Sequence, residues 1–220
     1  MNIVRFVFNP LQENTYITWD DTCQCVVIDA GNCTDAENQR LADFITEKGL
    51  QPVMIINTHG HFDHTLGVPY IAEKYNAKVA VSSQDDYLAG YSAEYCQMFG
   101  MTFKPMPATD IDLDTTDEVH FGESVLKVIK TPGHTPGGVV LYHEPSHALF
   151  TGDTLFAGSI GRTDLPKGDY SALMNSILNN IIPLGDEVTI YPGHGEKSTI
   201  GQESLYNPFV TEALNGEVKY

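Results

Sequence analysis

The chain has 220 residues, in which 12 lysines and arginines face 29 aspartates and glutamates, for a formal charge of −17 at neutral pH. With 42% hydrophobic and 19% charged residues it can bury a core, which excludes an intrinsically disordered chain. An acidic excess of this size argues against a broad phosphate-binding face, so nucleic acid is not an expected partner. No run approaches the roughly 20 apolar residues of a membrane span. The segment from Met1 to Pro10 lacks the pattern of an export signal, so a cytoplasmic address is expected. Cys23, Cys25, Cys33 and Cys96 do not form paired Cys-x-x-Cys motifs and are expected as reduced thiols, with Cys23 and Cys25 on one face of a strand.

In chain order, β-branched and aromatic runs predict strands from Ile3 to Phe8, Thr15 to Trp19 and Cys25 to Ile28. A helix follows, capped by Thr34 or Asp35, carrying Leu41, Phe44 and Ile45 at helical spacing and ended by Gly49 and Pro52. Val53 to Ile56 reads as a buried strand, Leu66 to Tyr75 as a helix, Lys78 to Val81 as a strand and Gln84 to Ala89 as a short helix. Residues 90–117 carry no clear period. Strands are expected at Val125 to Ile129 and Val139 to Tyr142, around a Pro- and Gly-rich loop from Thr131 to Gly138. Glu144-Pro145-Ser146 turns into a strand from Ala148 to Thr151. A helix from about Tyr170 to Ile181, a strand from Val188 to Tyr191 and a last helix near Thr199 to Tyr206 complete the reading. No repeat or linker interrupts the chain, so residues 1–220 are expected to form one α/β domain of two packed sheets with helices outside.

Three histidines and an aspartate crowd into six residues, His59, His61, Asp63 and His64, directly after a predicted buried strand. Imidazole and carboxylate are the ligands that borderline divalent cations prefer, and a loop at a strand end lets neighbouring side chains converge. His134 and His194 lie in similar Gly- and Pro-rich loops, and Asp153 follows another apolar strand. Ligand-type residues gathered on several strand-end loops describe an enzyme site on a rigid scaffold. His120, His143 and His147 fall in strand or hairpin contexts and read as solvated or core histidines, and Tyr16 and Tyr191 as packing residues.

The order His-x-His-x-Asp-His, here His59 to His64, with His134, Asp153 and His194 downstream, resembles the metallo-β-lactamase-fold hydrolases over residues 14–208. The resemblance implies an αββα sandwich of two mixed sheets packed face to face with helices outside. It also implies two divalent metal ions, zinc first, with iron or manganese as alternatives. His59, His61 and His134 would hold one ion, Asp63, His64 and His194 the other, with Asp153 between them. Gly152 to Phe156, Gly161 to Leu165, Pro192 to Gly195 and Asn207-Pro208-Phe209 look like the short glyoxalase II-like thioesterases. That implies hydrolysis of a small-molecule acyl thioester such as hydroxyacylglutathione, by a metal-bridging hydroxide with Asp63 and Asp153 as catalytic carboxylates. The chain ends soon after His194, without the helical extension that supplies glutathione contacts in longer glyoxalase II enzymes, so a carrier other than glutathione is expected to compete well.

The Gly-Arg-Thr-Asp stretch also resembles the persulfide dioxygenases, which use a single iron. A non-catalytic metal-binding domain is the third reading, and nothing in the sequence speaks for it. Asp29, at a strand end, is expected to orient a ligand imidazole through its second N–H, the alternative being a turn aspartate before glycine. Arg162 is expected to bind a substrate carboxylate, the alternative being an ion pair with Asp164.

Overall fold

A computed structural model describes residues 1–216. The first half builds a six-stranded sheet of β1 (Asn2–Phe8), β2 (Glu13–Trp19), β3 (Gln24–Ile28), β4 (Gln51–Ile56), β5 (Lys78–Val81) and β6 (Ile111–Asp112), in that spatial order. The first three strands run antiparallel and β3 to β6 parallel. The second half supplies β7 (Glu118–Phe121), β8 (Ser124–Lys130), β9 (Val139–His143), β10 (Ala148–Gly152), the small hairpin β11 (Leu155–Phe156) and β12 (Ser159–Ile160), then β13 (Thr189–Pro192) and β14 (Ser198–Thr199). Its sheet has the order β14-β13-β10-β9-β8-β7, with β10 and β13 parallel.

Alternation along each strand decides how these sheets stack. Val26 and Ile28 of β3 and Met54 and Ile56 of β4 meet Leu141 of β9 and Phe150 of β10 in a buried layer between the sheets. The intervening Val27 and Ile55 point the other way, onto Leu41 and Ile45 of α1 (Asp35–Lys48) and Ile71 of the helix Val68–Tyr75. On the far side, Val140, Tyr142 and Leu149 pack against Leu173, Ile177, Ile200 and Val210 of the C-terminal helices. The result is the expected αββα sandwich of mixed sheets.

Local signals hold where they were strong. Thr34 and Glu37 close a capping box on α1, and Gly49 ends it in the left-handed region at φ 65°. The helix expected from Leu66 to Tyr75 is α3 (Val68–Tyr75), starting two residues later, and a further short helix, α2 (Phe62–Thr65), precedes it within the histidine motif. At the break, a Cβ on Gly67 would collide with the Asn32 side-chain amide, so the chain passes there only as glycine. Residues 90–117 hold α4 (Ala89–Met98) and β6; α4 has no clear apolar stripe because only Ser92 and Cys96 on it are buried. The expected helix from Tyr170 is α5 (Tyr170–Ser176) followed by a π-helical turn over Ile177–Ile181. The last expected helix is α6 (Ile200–Tyr206), with Thr199 as its cap, and α7 (Pro208–Leu214) follows. Cys23 lies in the turn before β3 with φ 64°, so only Cys25 sits in the strand, and all four cysteines are free thiols.

Leu141 is fully buried between the sheets. Leu141→Ala is expected to lower unfolding free energy by about 2–5 kcal/mol in urea titrations.

Candidate metal centre

The chemistry-bearing residues gather at the carboxyl ends of the parallel strands. Asp29 follows β3, His59 to His64 follow β4, Asp153 follows β10 and His194 follows β13. His134 joins them from the loop between β8 and β9. Strand ends fix such loops while leaving their side chains free to converge.

Backbone clamps hold each loop. Asn14 on β2 donates through its side-chain amide to Pro192 O at 2.9 Å and Gly195 O at 2.8 Å, and the Tyr16 hydroxyl donates to Pro192 O at 2.8 Å, so the first sheet grips the His194 loop. Asp85 accepts from Gly60 N, Thr135 Oγ1 and Gly137 N, each at 2.8 Å, and thereby ties the His59–His61 loop to the His134 loop. A Cβ on Gly193 would strike the Asp153 carboxylate and the His64 ring, so glycine is what lets β13 close on the centre.

The hydrogen bonds behind the rings define which nitrogens face inward. Thr58 Oγ1 donates to Asp29 Oδ2 at 2.7 Å, so at 3.1 Å it accepts from His59 Nδ1. His134 Nδ1 donates to Arg162 O at 2.7 Å and His194 Nδ1 to Leu11 O at 3.2 Å, while His64 Nδ1 lies 3.1 Å from Asp29 Oδ2. In the neutral form of His59, His134 and His194 these hydrogen bonds put the proton on Nδ1 and turn a bare Nε2 lone pair into the centre, and the Asp29 contact orients the His64 ring in the same way. His61 adds its Nδ1, 2.9 Å from His134 Nε2. Two lone pairs at that distance repel unless a proton or a cation lies between them.

The carboxylates complete the set. Asp153 Oδ1 is 3.4 Å from His64 Nε2, and its Oδ2 is 3.6 Å from His134 Nε2 and 3.7 Å from His194 Nε2, so one side chain spans both groups of rings. Asp63 Oδ2 is 3.3 Å from His194 Nε2. Buried His59 Nε2, His64 Nε2 and Asp153 Oδ1 make no hydrogen bond. Orphaned inward donors of this kind fit a divalent cation. Among the described residues, His59, His61 and His134 bring ligand atoms within 4.8 Å of one another, as do Asp63, His64 and His194.

Electrostatics separates the two groups. Burial, reinforced by His64 and His61, pushes His59 well below the ordinary imidazole value, and burial with His134 pulls His61 down to about 4. Both rings are neutral at neutral pH, each with one nitrogen free to bind a cation. Burial alone would raise Asp63, but His64 and His194 outweigh it and hold that carboxyl at about 2. His64 is buried yet pushed upward by Asp153, Asp63 and Asp29, a surplus of negative charge that calls for positive charge in the centre.

All seven expected ligands thus meet in one place, and Asp29 lies directly behind His64. Asp29 adopts φ 51°, a left-handed conformation that aspartate tolerates better than most residues, and this turns its carboxylate toward Thr58 and His64. Arg162 lies at the rim, and the anion that its guanidinium meets is Asp164, through Nε at 2.7 Å and Nη2 at 2.8 Å. His120 and His147 are exposed beside Glu118 and Glu187, and buried His143 contacts Ser146 Oγ at 2.7 Å, all away from the centre. Sequence reasoning missed two buried acids. Asp85 is bound to groups 25 and 52 residues away, so no local pattern marks it. Glu13, fully buried and pushed well above its usual value by burial, accepts from Thr15 Oγ1 and packs onto Gly31 beside the Asp63 backbone.

A four-layer sandwich with this arrangement of histidines and aspartates at its strand ends defines an α/β protein suited to divalent metals. The chain belongs to the metallo-beta-lactamase superfamily, whose family model matches residues 8–194. It is 35% identical over 217 residues to the hydroxyacylglutathione hydrolase GloC of Haemophilus influenzae, covering 96% of this chain and 98% of that protein. Two similar solved structures are the B3 metallo-beta-lactamase BLEG-1 and TTHA1623 in a di-iron-bound form. For BLEG-1 the TM-score is 0.84 at 32% identity, over 96% of this chain and 100% of that one. For TTHA1623 it is 0.83 at 33% identity, over 94% and 99%. No helix among the described residues is long and apolar enough to cross a membrane.

Removing the Asp85 carboxylate unties two ligand loops at once. Asp85→Ala is expected to weaken divalent-metal affinity about 10- to 100-fold, read by competition with a chromophoric chelator.

Proposed function

We propose that residues 1–220 form one catalytic unit, a binuclear metal-dependent hydrolase of acyl thioesters. The observation that carries the reading is the pair of inward-facing ligand groups joined through Asp153, with buried lone pairs that no protein donor satisfies. His59, His61 and His134 would hold one ion, and Asp63, His64 and His194 the other, with Asp153 between. Divalent cations so held supply Lewis acidity and a water whose pKa is lowered toward about 7.

The chain's own residues do the rest. Asp29 fixes the His64 ring, and Thr58 the His59 ring, so that each presents one nitrogen. Asp63, ionised at neutral pH, and Asp153, with a carboxylate oxygen free of hydrogen bonds, are placed to orient the attacking water. In the reaction, water oxygen bonds to the acyl carbon and the C–S bond breaks, giving a carboxylic acid and a thiol. A thiolate of pKa about 8.5 leaves without prior protonation, so a site with no dedicated general acid suffices.

The similarity to GloC supports thioester chemistry, with hydroxyacylglutathione as one substrate to test. The di-iron form of TTHA1623 supports iron as well as zinc as the ion. Two carboxylates and a second imidazole group beyond the His59, His61 and His134 trio favour two ions over the single iron of a persulfide dioxygenase. The acidic surface and the small-molecule chemistry favour neither nucleic acid nor membrane as a partner, and a cytoplasmic setting suits the free thiols.

Metal analysis of purified protein is expected to give two equivalents per chain, with thioester cleavage followed as thiol release. Asp153→Ala and His61→Ala are each expected to lose metal and to cut turnover about 100-fold or more. Full activity with one iron per chain, unchanged by His194→Ala and accompanied by oxygen uptake on a persulfide, would replace this reading with the dioxygenase.

A further inference from the structure

A cavity of about 490 Å3 opens over the metal centre, and its walls are mainly apolar. Phe62 stacks on Tyr95 and on Phe99, with ring centroids 5.5 and 5.9 Å apart, so an aromatic strip leads from beside Asp63 to the end of α4. Met98, 70% exposed, and Phe99, 48% exposed, continue the strip outward. The helix that carries it buries only Ser92 and Cys96, so these large side chains face the cavity and solvent rather than the core. A contiguous apolar wall beside a reactive centre is suited to an apolar ligand.

Charge on the same walls argues in the same direction. Among the described residues Arg162 is the single lysine or arginine lining the cavity, and Asp164 already holds the Nε and Nη2 edge of its guanidinium. The chain as a whole carries −17. Among the described residues, a carrier with several carboxylates would find along this wall one arginine already paired with an aspartate, on a chain of strongly negative net charge, whereas an uncharged arm needs no cationic partner.

We infer that the substrates of this site are thioesters with an uncharged, apolar arm laid along Phe62, Tyr95, Met98 and Phe99, in preference to those of a polycarboxylate carrier. This rests on the thioester reading above and adds to it the class of substrate. The apolar arm supplies binding energy away from the reacting carbon, which the cavity floor then directs at the metal centre.

Two series on the metal-loaded protein test it. The first is hydrolysis of acetyl, butyryl, hexanoyl and octanoyl thioesters of N-acetylcysteamine, with S-lactoylglutathione alongside. The second is calorimetric binding of the matching S-alkyl thioethers, which cannot be hydrolysed. Both kcat/KM and affinity are expected to rise about two- to fourfold per methylene through hexanoyl. S-lactoylglutathione is expected at least about tenfold below the hexanoyl thioester, and Met98→Asp is expected to flatten both slopes. Flat series, or S-lactoylglutathione as the best substrate, would overturn the inference. Thioether affinity that rises with length while no thioester is cleaved would uphold the apolar subsite and reject the thioesterase reading instead. If Met98→Asp dissociates a dimer in light scattering and leaves both slopes unchanged, the strip is a contact between copies and the inference fails.

Discussion

Five imidazole nitrogens and two carboxylates are aimed at one small volume, and among them His59 Nε2, His64 Nε2 and Asp153 Oδ1 are buried with no hydrogen-bond partner. The groups call for positive charge among them: His61 Nδ1 and His134 Nε2 face each other at 2.9 Å and repel if both are bare, and three aspartates favour a cationic form of the buried His64. Positive charge is what makes the arrangement favourable, and the surrounding structure reads as the apparatus that keeps the lone pairs from turning away. Rotating any one of four rings would break the contact made by its Nδ1, so the cost of relaxing the centre is spread over Thr58, Asp29, Leu11 and Arg162.

The sandwich matters because it delivers the ligands from two sheets. His59 to His64 belong to the first and Asp153 and His194 to the second, so the packing of Ile28, Met54 and Ile56 against Leu141 and Phe150 sets the distance between the groups. Asn14 and Tyr16 reach across to the His194 loop and fix that distance at the level of hydrogen bonds. Interior packing tolerates little drift, which makes it a suitable frame for a centre in which a shift of about 1 Å would spoil ligation. A buried Glu203, accepting from Gly158 N and the Asn207 amide, does the same for the β11-β12 hairpin at the cavity edge.

Much of this was legible in the sequence where the signal is local. The His59 to His64 cluster, the glycine-flanked His134 and His194, and Asp153 after an apolar run announce themselves by composition and spacing. Val26 to Ile28 and Val139 to Leu141 are continuous apolar runs, as strands buried on both faces must be. α4 was illegible because its apolar side chains serve the cavity, so the helical stripe that burial imposes on α1 is missing. Asp85 was illegible because its partners lie 25 and more residues away, and Glu13 because its packing against Gly31 and the Asp63 backbone is set by the fold and leaves no local pattern. Arg162 was ambiguous for a different reason: a guanidinium two residues from an aspartate can always pair locally, and here it does.

The most direct test of the account is an anomalous diffraction map of crystals of the metal-loaded protein, recorded at the absorption edge of the bound ion. It is expected to contain two peaks, one against His59, His61 and His134 and the other against Asp63, His64 and His194, with the Asp153 carboxylate between them. A map with a single peak, or with the inward-facing nitrogens of either group turned toward water instead of metal, would contradict it.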